Sequence, residues 1–345
     1  MAEITSKEIA ARLGLSPSAV SLALNGKPGV SRKTRDLVLE EAAKLGYALP
    51  QKSLPVGPKK KTICYMIYVD QVVSIAEHTS FSSFVLHGIE SAASSLGYAT
   101  QIRYYNADEP YELKTSGIFD EVDGIILLGT DITENRAKDM NAFLDVAGTM
   151  PMVIVDNFMF ADRVDCVGND NFGGAQSAVL YLLSRGCRRI GYLRSRQRIK
   201  NFDEREAGIK AALSKHGLEL ATVIDVGVSS EGAFYDLGQW LDTGAELPEA
   251  FFAENDVVAC AAIRTLKMHG VNVPEDISVI GFDDIPLCEM LDPQVSTIHS
   301  YIEQLGIAAV NALHLRLQQY SSRSDFGGRM KISVSTDIIP RKSVR

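Results

Sequence analysis

Residues 16–25 read SPSAVSLALN, and the kind of helix they form decides how the rest of the chain is understood. Ser16 is a favoured N-cap, and Pro17 suits the first helical position, where a missing N–H costs nothing. Val20, Ala23 and Leu24 fall at i, i+3 and i+4 and make one narrow apolar stripe, while Ser18, Ser21, Leu22 and Asn25 point elsewhere. That outward face is short, uncharged and rich in hydrogen-bonding groups. A surface helix of an ordinary soluble domain more often carries Lys and Glu there, so this helix is expected to face something other than its own core.

The flanks extend the pattern. Upstream, Thr5-Ser6-Lys7-Glu8 has the T-x-x-E form of a capping box, apolar Ile9, Ala10 and Leu13 follow, and Gly14 supplies a turn. A short helix, a tight turn and a second short helix in about twenty residues is helix-turn-helix spacing. Downstream, Ser31 can cap a third helix with Val38, Ala42 and Leu45 on one face and Gly46 at its end. Beyond Tyr47 no helical period survives: Pro50, Pro55, Pro58 and Gly57 break up ALPQKSLPVGPKKK, which ends in Lys59, Lys60 and Lys61. The expected division is a headpiece over 1–48, a Pro/Lys-rich linker over 49–61 and a large body over 62–345.

In the body, short apolar runs recur: ICYMIYV at 63, TQIRYY at 100, GIILLG at 124, MVIVD at 152, RIGYL at 189, TVIDVG at 222, AFFAEN at 250 and SVIGFDD at 278. Helix-like stretches separate them, from Phe81 to Leu96 and over 172–186, 203–216 and 256–270. Strand and helix alternating this often means α/β architecture with parallel sheets, and the stretch is long enough for two lobes. Ligands of open parallel sheets bind beyond the carboxyl ends of the strands. Asp156, Asn255, Asp256, Asp283 and Asp284 stand there, each equally able to cap the helix that follows.

Composition narrows the function. Of 345 residues, 46% are hydrophobic and 23% charged, as in ordinary globular proteins, which excludes long disorder. Residues 1–61 hold 11 Lys or Arg against 5 Asp or Glu, and the remainder 24 against 38, so a basic head sits on an acidic body. Such a head favours approach to phosphates. No apolar run is long enough for a bilayer, and Lys7, Glu8 and Arg12 interrupt any leader-like segment, so a cytoplasmic protein is expected. The five cysteines are scattered without a C-x-x-C pair and the six histidines are isolated, which leaves neither a disulfide frame nor a zinc site. No phosphate loop, dinucleotide fingerprint, nucleophile elbow or H-E-x-x-H motif occurs, so no cofactor is expected, and an enzyme or an exported solute-binding protein is a remote alternative.

The run ITSKEIAARLGLSPSAVSLALNGKPGVSRKTRDLVLEEAAKLGY resembles the N-terminal DNA-binding headpiece of LacI/GalR transcriptional regulators over Ile4 to Tyr47. The resemblance implies that the second helix enters the major groove of a pseudo-palindromic operator, with Pro17, Ser18 and Leu22 against base edges. Thr5, Ser16, Ser21, Asn25, Ser31 and Thr34 fall at positions that hold the phosphate backbone. Many relatives have an aromatic residue at the place of Pro17 and Arg or Lys at that of Leu22; leucine cannot chelate guanine but can pack on a thymine methyl. In the linker, Leu54 is the candidate minor-groove wedge, yet Pro55 forbids a helix continuing through it, so an extended basic tether is expected instead.

More loosely, VGNDNFGGAQSAVLYLLSRGCRRIGYL, NFDEREAGIKAAL, AFFAENDVVACAAIRTL and DISVIGFDDIPLCEMLDPQVSTI resemble the periplasmic-binding-protein-like (type I) effector domain of the same family. The resemblance implies a small-molecule effector held by Phe81, Asp156, Asn201, Arg205, Phe234, Asn255 and Asp283. Arg205, within DERE, has a solvated ion pair as its plain alternative, and the stretch before Phe81 lacks the family's usual Asn-Pro. Carboxylates, a guanidinium and aromatic walls suit a saccharide; a nucleobase, nucleoside or phosphorylated metabolite is the alternative. By the same resemblance the chain passes between lobes near Ala161, Pro293 and Arg323, and a homodimer is expected, without a C-terminal tetramer-forming heptad. The whole reads as a repressor of carbohydrate-utilisation genes whose operator affinity the effector changes.

Overall fold

In the computed structural model residues 5–24, 30–45, 47, 60–70, 81–107, 117–148, 150–322 and 327–345 are described. The chain divides into two units, Met1–Lys59 and Lys60–Arg345. In the first, α1 (Ser6–Leu13), α2 (Pro17–Leu24) and α3 (Arg32–Lys44) enclose Ile9, Ala10, Val20, Ala23, Leu24, Val38 and Ala42. The helix starts form as their sequences dictate. The Thr5 N–H donates to the Glu8 carboxylate at 2.7 Å, Ser16 Oγ accepts the Ala19 N–H at 3.2 Å, and Ser31 Oγ accepts the Thr34 N–H at 3.1 Å. Gly14, at φ 63°, ends α1 in a conformation that costs glycine nothing.

The second unit holds two lobes. Most of the first comes from β1 (Thr62–Val69), α4 (Phe81–Ser95), β2 (Ala99–Asn106), α5 (Ile118–Glu121), β3 (Gly124–Leu128), α6 (Ala137–Ala147), β4 (Met152–Val155) and β5 (Asp165–Asn169). The second comes from α7 (Asn171–Ser184), β6 (Ile190–Ser195), α8 (Lys200–Lys215), β7 (Thr222–Val226), α9 (Ser230–Asp242), β8 (Ala250–Ala253), α10 (Asp256–Met268), β9 (Ser278–Ile280), α11 (Leu287–Met290) and β10 (Thr297–Ser300). The chain then returns through α12 (Ile302–Ser322) and β11 (Lys331–Val334) to the first lobe, and through β12 (Thr336–Ile339) to the second.

The first sheet has the order β11-β5-β4-β3-β1-β2 and the second β7-β6-β8-β9, all pairs parallel. Their continuous apolar runs follow from burial on both faces. In β1, Ile63, Tyr65 and Ile67 enter the core shared with α4 and α12, and Cys64, Met66 and Tyr68 enter the opposite one. In β8, Phe251 and Ala253 likewise part from Ala250 and Phe252.

The lobe crossings differ from those expected near Ala161, Pro293 and Arg323. β5 pairs with β4 in the first sheet, so the first crossing follows Asn169. β10 pairs with β12 in the second lobe and β11 with β5 in the first, which moves the other two to Tyr301 and Ser335. The cause is long-range pairing: the Asp165 carboxylate opening β5 accepts Arg316 Nε and Nη2 from α12, at 2.6 and 2.7 Å, and the Met330 N–H at 2.8 Å.

Candidate functional site

On α8, Asn201 and Arg205 lie at i and i+4 and therefore share a face. Asn201 Nδ2 donates to Asp156 Oδ2 at 2.8 Å, tying the second lobe to the end of β4 in the first. Thr130, just beyond β3, donates to the same oxygen at 2.7 Å. Arg205 is only 4% exposed, which removes the solvated-ion-pair alternative. Its guanidinium donates to Asn171 Oδ1 at 2.9 Å, the Glu254 carbonyl at 2.6 Å and Asp283 Oδ1 at 2.9 Å, and it lies 3.7 Å from the Phe282 ring centroid. A planar fork filled on three sides is the use for which arginine is better suited than lysine.

The backbone is strained here, and the Asp156 and Asp283 carboxylates are desolvated. Asp156, Asp283 and Asp284, with φ of 67°, 110° and 60°, are the non-glycine residues of positive φ among those described, and the first two belong to this cluster. Burial pushes the Asp156 carboxyl up to about 7, against the pull of Thr130, Arg205 and Asn201. Burial also raises Asp283, although Arg205 opposes it. Beside them, Glu254 is fully buried and accepts Tyr192 Oη, Arg198 Nη1 and the Ser195 N–H; burial raises it as well. Arg198 also lines a cavity of about 200 Å³ between the lobes, walled by Thr133, Glu134, Asn135 and Met159 from the first and by Ile199, Lys200 and Asp203 from the second.

Not every expected residue joins this group. Phe234 stands on α9 with its ring 5.1 Å from the Arg264 guanidinium of α10. The apolar side chains beside the polar cluster are instead Phe282, Phe202, Ile199 and Val228. Asn255 caps α10, its Oδ1 accepting the Val258 N–H at 2.9 Å. Phe81 opens α4 and packs on the first-lobe core. Asp256 accepts Thr297 Oγ1 at 2.6 Å and the Ile285 N–H at 3.0 Å, and so fastens β10 to the second sheet. Asp284 pairs with Arg341 Nη1 at 2.7 Å and His299 Nδ1 at 2.8 Å. Thr130, Asn171 and Glu254 went unread; each follows a strand, so the rule that selected Asp156 covers them too.

In the headpiece, the outward side of α2 stays free of its core: Ser16, Pro17, Ser18 and Ser21 are exposed and Leu22 half-buried, against Val20 at 0% and Ala23 at 1%. Thr5 and Ser31 are exposed, and the Ser31 hydroxyl shares a 2.7 Å hydrogen bond with that of Thr34. Asn25 and Leu54 lie outside the described residues. Among the described residues no group of three or more His, Cys, Asp or Glu is placed to hold a metal, and no helix is long and apolar enough to cross a membrane.

Two parallel-sheet lobes thus meet at a buried polar cluster, in a chain whose N-terminal unit is a three-helix fold with its own core. Residues 179–344 match the family described as a periplasmic binding protein-like domain. The chain is 26% identical to the HTH-type transcriptional repressor PurR of Histophilus somni (strain 129Pt), over 99% of each. It is similar in fold to the transcriptional regulator CelR in complex with cellobiose, with a TM-score of 0.70 and 24% identity over 99% of both chains. It also resembles a LacI family transcriptional regulator from Enterococcus faecium with bound ribose, with a TM-score of 0.66 and 26% identity over 82% of this chain and 98% of that one. Over nearly its whole length the chain thus resembles transcriptional repressors of the LacI type, and its second half matches their periplasmic-binding-protein-like domain.

Proposed function

We propose that this repressor binds a pseudo-palindromic operator as a homodimer, and that a neutral polyhydroxylated effector between the lobes, a saccharide, changes its affinity. The observation that carries the effector reading is the Asn201–Asp156 hydrogen bond from lobe to lobe, flanked by the Arg205–Asp283 pair. A ligand competing for these groups necessarily acts on the contact between lobes, and a change in lobe angle is the kind of rigid-body motion that regulators amplify. Carboxylates and amides at fixed positions read hydroxyl groups well. Phe234 stands on α9 against Arg264, and Phe282 and Phe202 are the aromatic side chains beside the cluster, walls that suit the C–H face of a sugar. A nucleobase is the second reading, favoured by the likeness to the PurR repressor.

In the headpiece, α2 is assigned to the major groove, with Pro17, Ser18 and Leu22 reading bases, and with Thr5, Ser16, Ser21, Asn25, Ser31 and Thr34 on phosphates. Operator preference is measured by selecting bound duplexes from a random pool. The selected duplex is then titrated with protein in the presence of ribose, cellobiose, adenine or adenosine. A change of affinity with a sugar alone supports the saccharide reading, and a change with adenine or adenosine alone replaces it with the second.

A further inference from the structure

Two side chains beside the Arg205 cluster take part in none of the contacts above. Ser195, the last residue of β6, is 1% exposed, and its Oγ has no hydrogen-bond partner. Asn169, the last residue of β5, is 2% exposed, and its Oδ1 has none either. Buried polar atoms are nearly always paired in folded proteins, so two orphans in one neighbourhood need an explanation.

Their placement supplies it. Asp156 follows β4 and is bonded by Asn201 of α8, the helix that follows β6, so the carboxyl edges of the two sheets face each other. Asn169 ends the strand next to β4, and Ser195 ends the strand leading to α8. Both also adjoin the Arg205 network. The Ser195 N–H donates to the Glu254 carboxylate, while the Glu254 carbonyl accepts Arg205. The Asn169 carbonyl accepts Asn171 Nδ2 at 3.5 Å, while Asn171 Oδ1 accepts Arg205. Arg205 and Asp283 are thus engaged with the protein, and Ser195 Oγ and Asn169 Oδ1 are the neighbouring groups still able to accept a new partner.

We propose that Ser195 and Asn169 are specificity-determining effector contacts, one from each lobe, and that their complement is a hydroxyl-bearing ligand. This rests on the effector reading given above. A hydroxyl both donates and accepts, so one kind of group suits the carbonyl oxygen of Asn169 and the hydroxyl of Ser195 alike. A ligand spanning both holds the lobes together through two bonds that the free protein does not make.

The test compares wild type with Ser195→Ala and Asn169→Ala, using ribose, cellobiose and adenosine as probes and the thermal midpoint and binding isotherm as readouts. A purely structural role for these side chains predicts lower midpoints without ligand. A ligand-facing role predicts midpoints unchanged or higher, because a buried unpaired polar atom has been removed, together with about three- to tenfold weaker sugar binding, the worth of one neutral hydrogen bond. If wild type binds a sugar and both variants bind it as tightly, the inference fails while the effector reading stands. If no hydroxylated probe binds wild type, the effector reading fails and takes this inference with it.

Discussion

At the scale of single residues, Asp156 joins left-handed backbone, complete burial and a contact between lobes. With its carboxyl at about 7 in the fold against 3.8 ordinarily, the folded chain keeps a proton that the unfolded chain has lost across that interval. Its contribution to stability is therefore full below about pH 4 and declines as the pH rises toward about 7, by at most about 1.4 kcal/mol per pH unit. Asp256, also at about 7, acts in the same direction. Asp156→Asn still offers an oxygen to Thr130 and Asn201, so it is expected to fold and to lose less stability than wild type between pH 4.5 and 7 in urea titrations; equal losses would count against the assignment. Arg205→Ala is a harsher change. It strips partners from Asp283 and Asn171 in a buried site, and about 3–5 kcal/mol of destabilisation is expected from chemical denaturation. Asp156 and Asp283 were legible in the sequence because polar residues after apolar runs mark strand ends, whereas Arg205, in a helix, was legible only through the family resemblance. Glu254 lies within AFFAEN without a signal of its own, since its role depends on Tyr192 and Arg198, far away in sequence.

At the scale of elements, α4 and α12 pack backbone to backbone. A Cβ on Gly88 would stand 2.0 Å from the Glu303 carbonyl oxygen, and one on Gly306 2.3 Å from that of Val85. Backbone cannot yield as a side-chain tip can, so Gly88→Ala is expected to cost about 3 kcal/mol in urea unfolding. A loss under about 1 kcal/mol would mean that the helices slide apart freely. For α2, Ser18→Ala and Leu22→Ala are expected to broaden the set of duplexes selected from a random pool, while Ser31→Ala weakens binding evenly across sequences. Broadening by all three alike would undo the division into base and phosphate contacts. The elements that could be read ahead were those with their own period: α2, α4 and the apolar strands. β5, DCVGN, begins with Asp165 and ends with Asn169, and β11 and β12 are partly exposed; their strand character comes from distant partners, β5 and β11 pairing as Cys166 with Lys331, and β12 with β10 as Ile339 with Thr297. The resemblance set the lobe crossings near Ala161, Pro293 and Arg323, and the pairing of β5 with β4 and β11, and of β10 with β12, moves them.

At the scale of the whole molecule, the division at Lys59 and Lys60 coincides closely with the change from a basic to an acidic chain. The two units have separate cores, a small one in the headpiece and four large clusters flanking the two sheets of the body. Folding free energy scales with buried apolar surface, so the headpiece holds much the smaller share and is expected to melt first, giving two calorimetric transitions. Linkage then makes each transition a probe of one ligand. A ligand at a hundred times its Kd stabilises the unit that binds it by about 2.7 kcal/mol. Operator duplex is accordingly expected to raise the first transition and sugar the second, each leaving the other in place when added alone. With both present, coupling between the sites appears as the departure of the two shifts from additivity, and its sign tells whether effector loosens or tightens the grip on DNA. A single transition moved equally by either ligand would mean that the headpiece and body unfold as one cooperative body, and that their separate cores do not make them separate in energy.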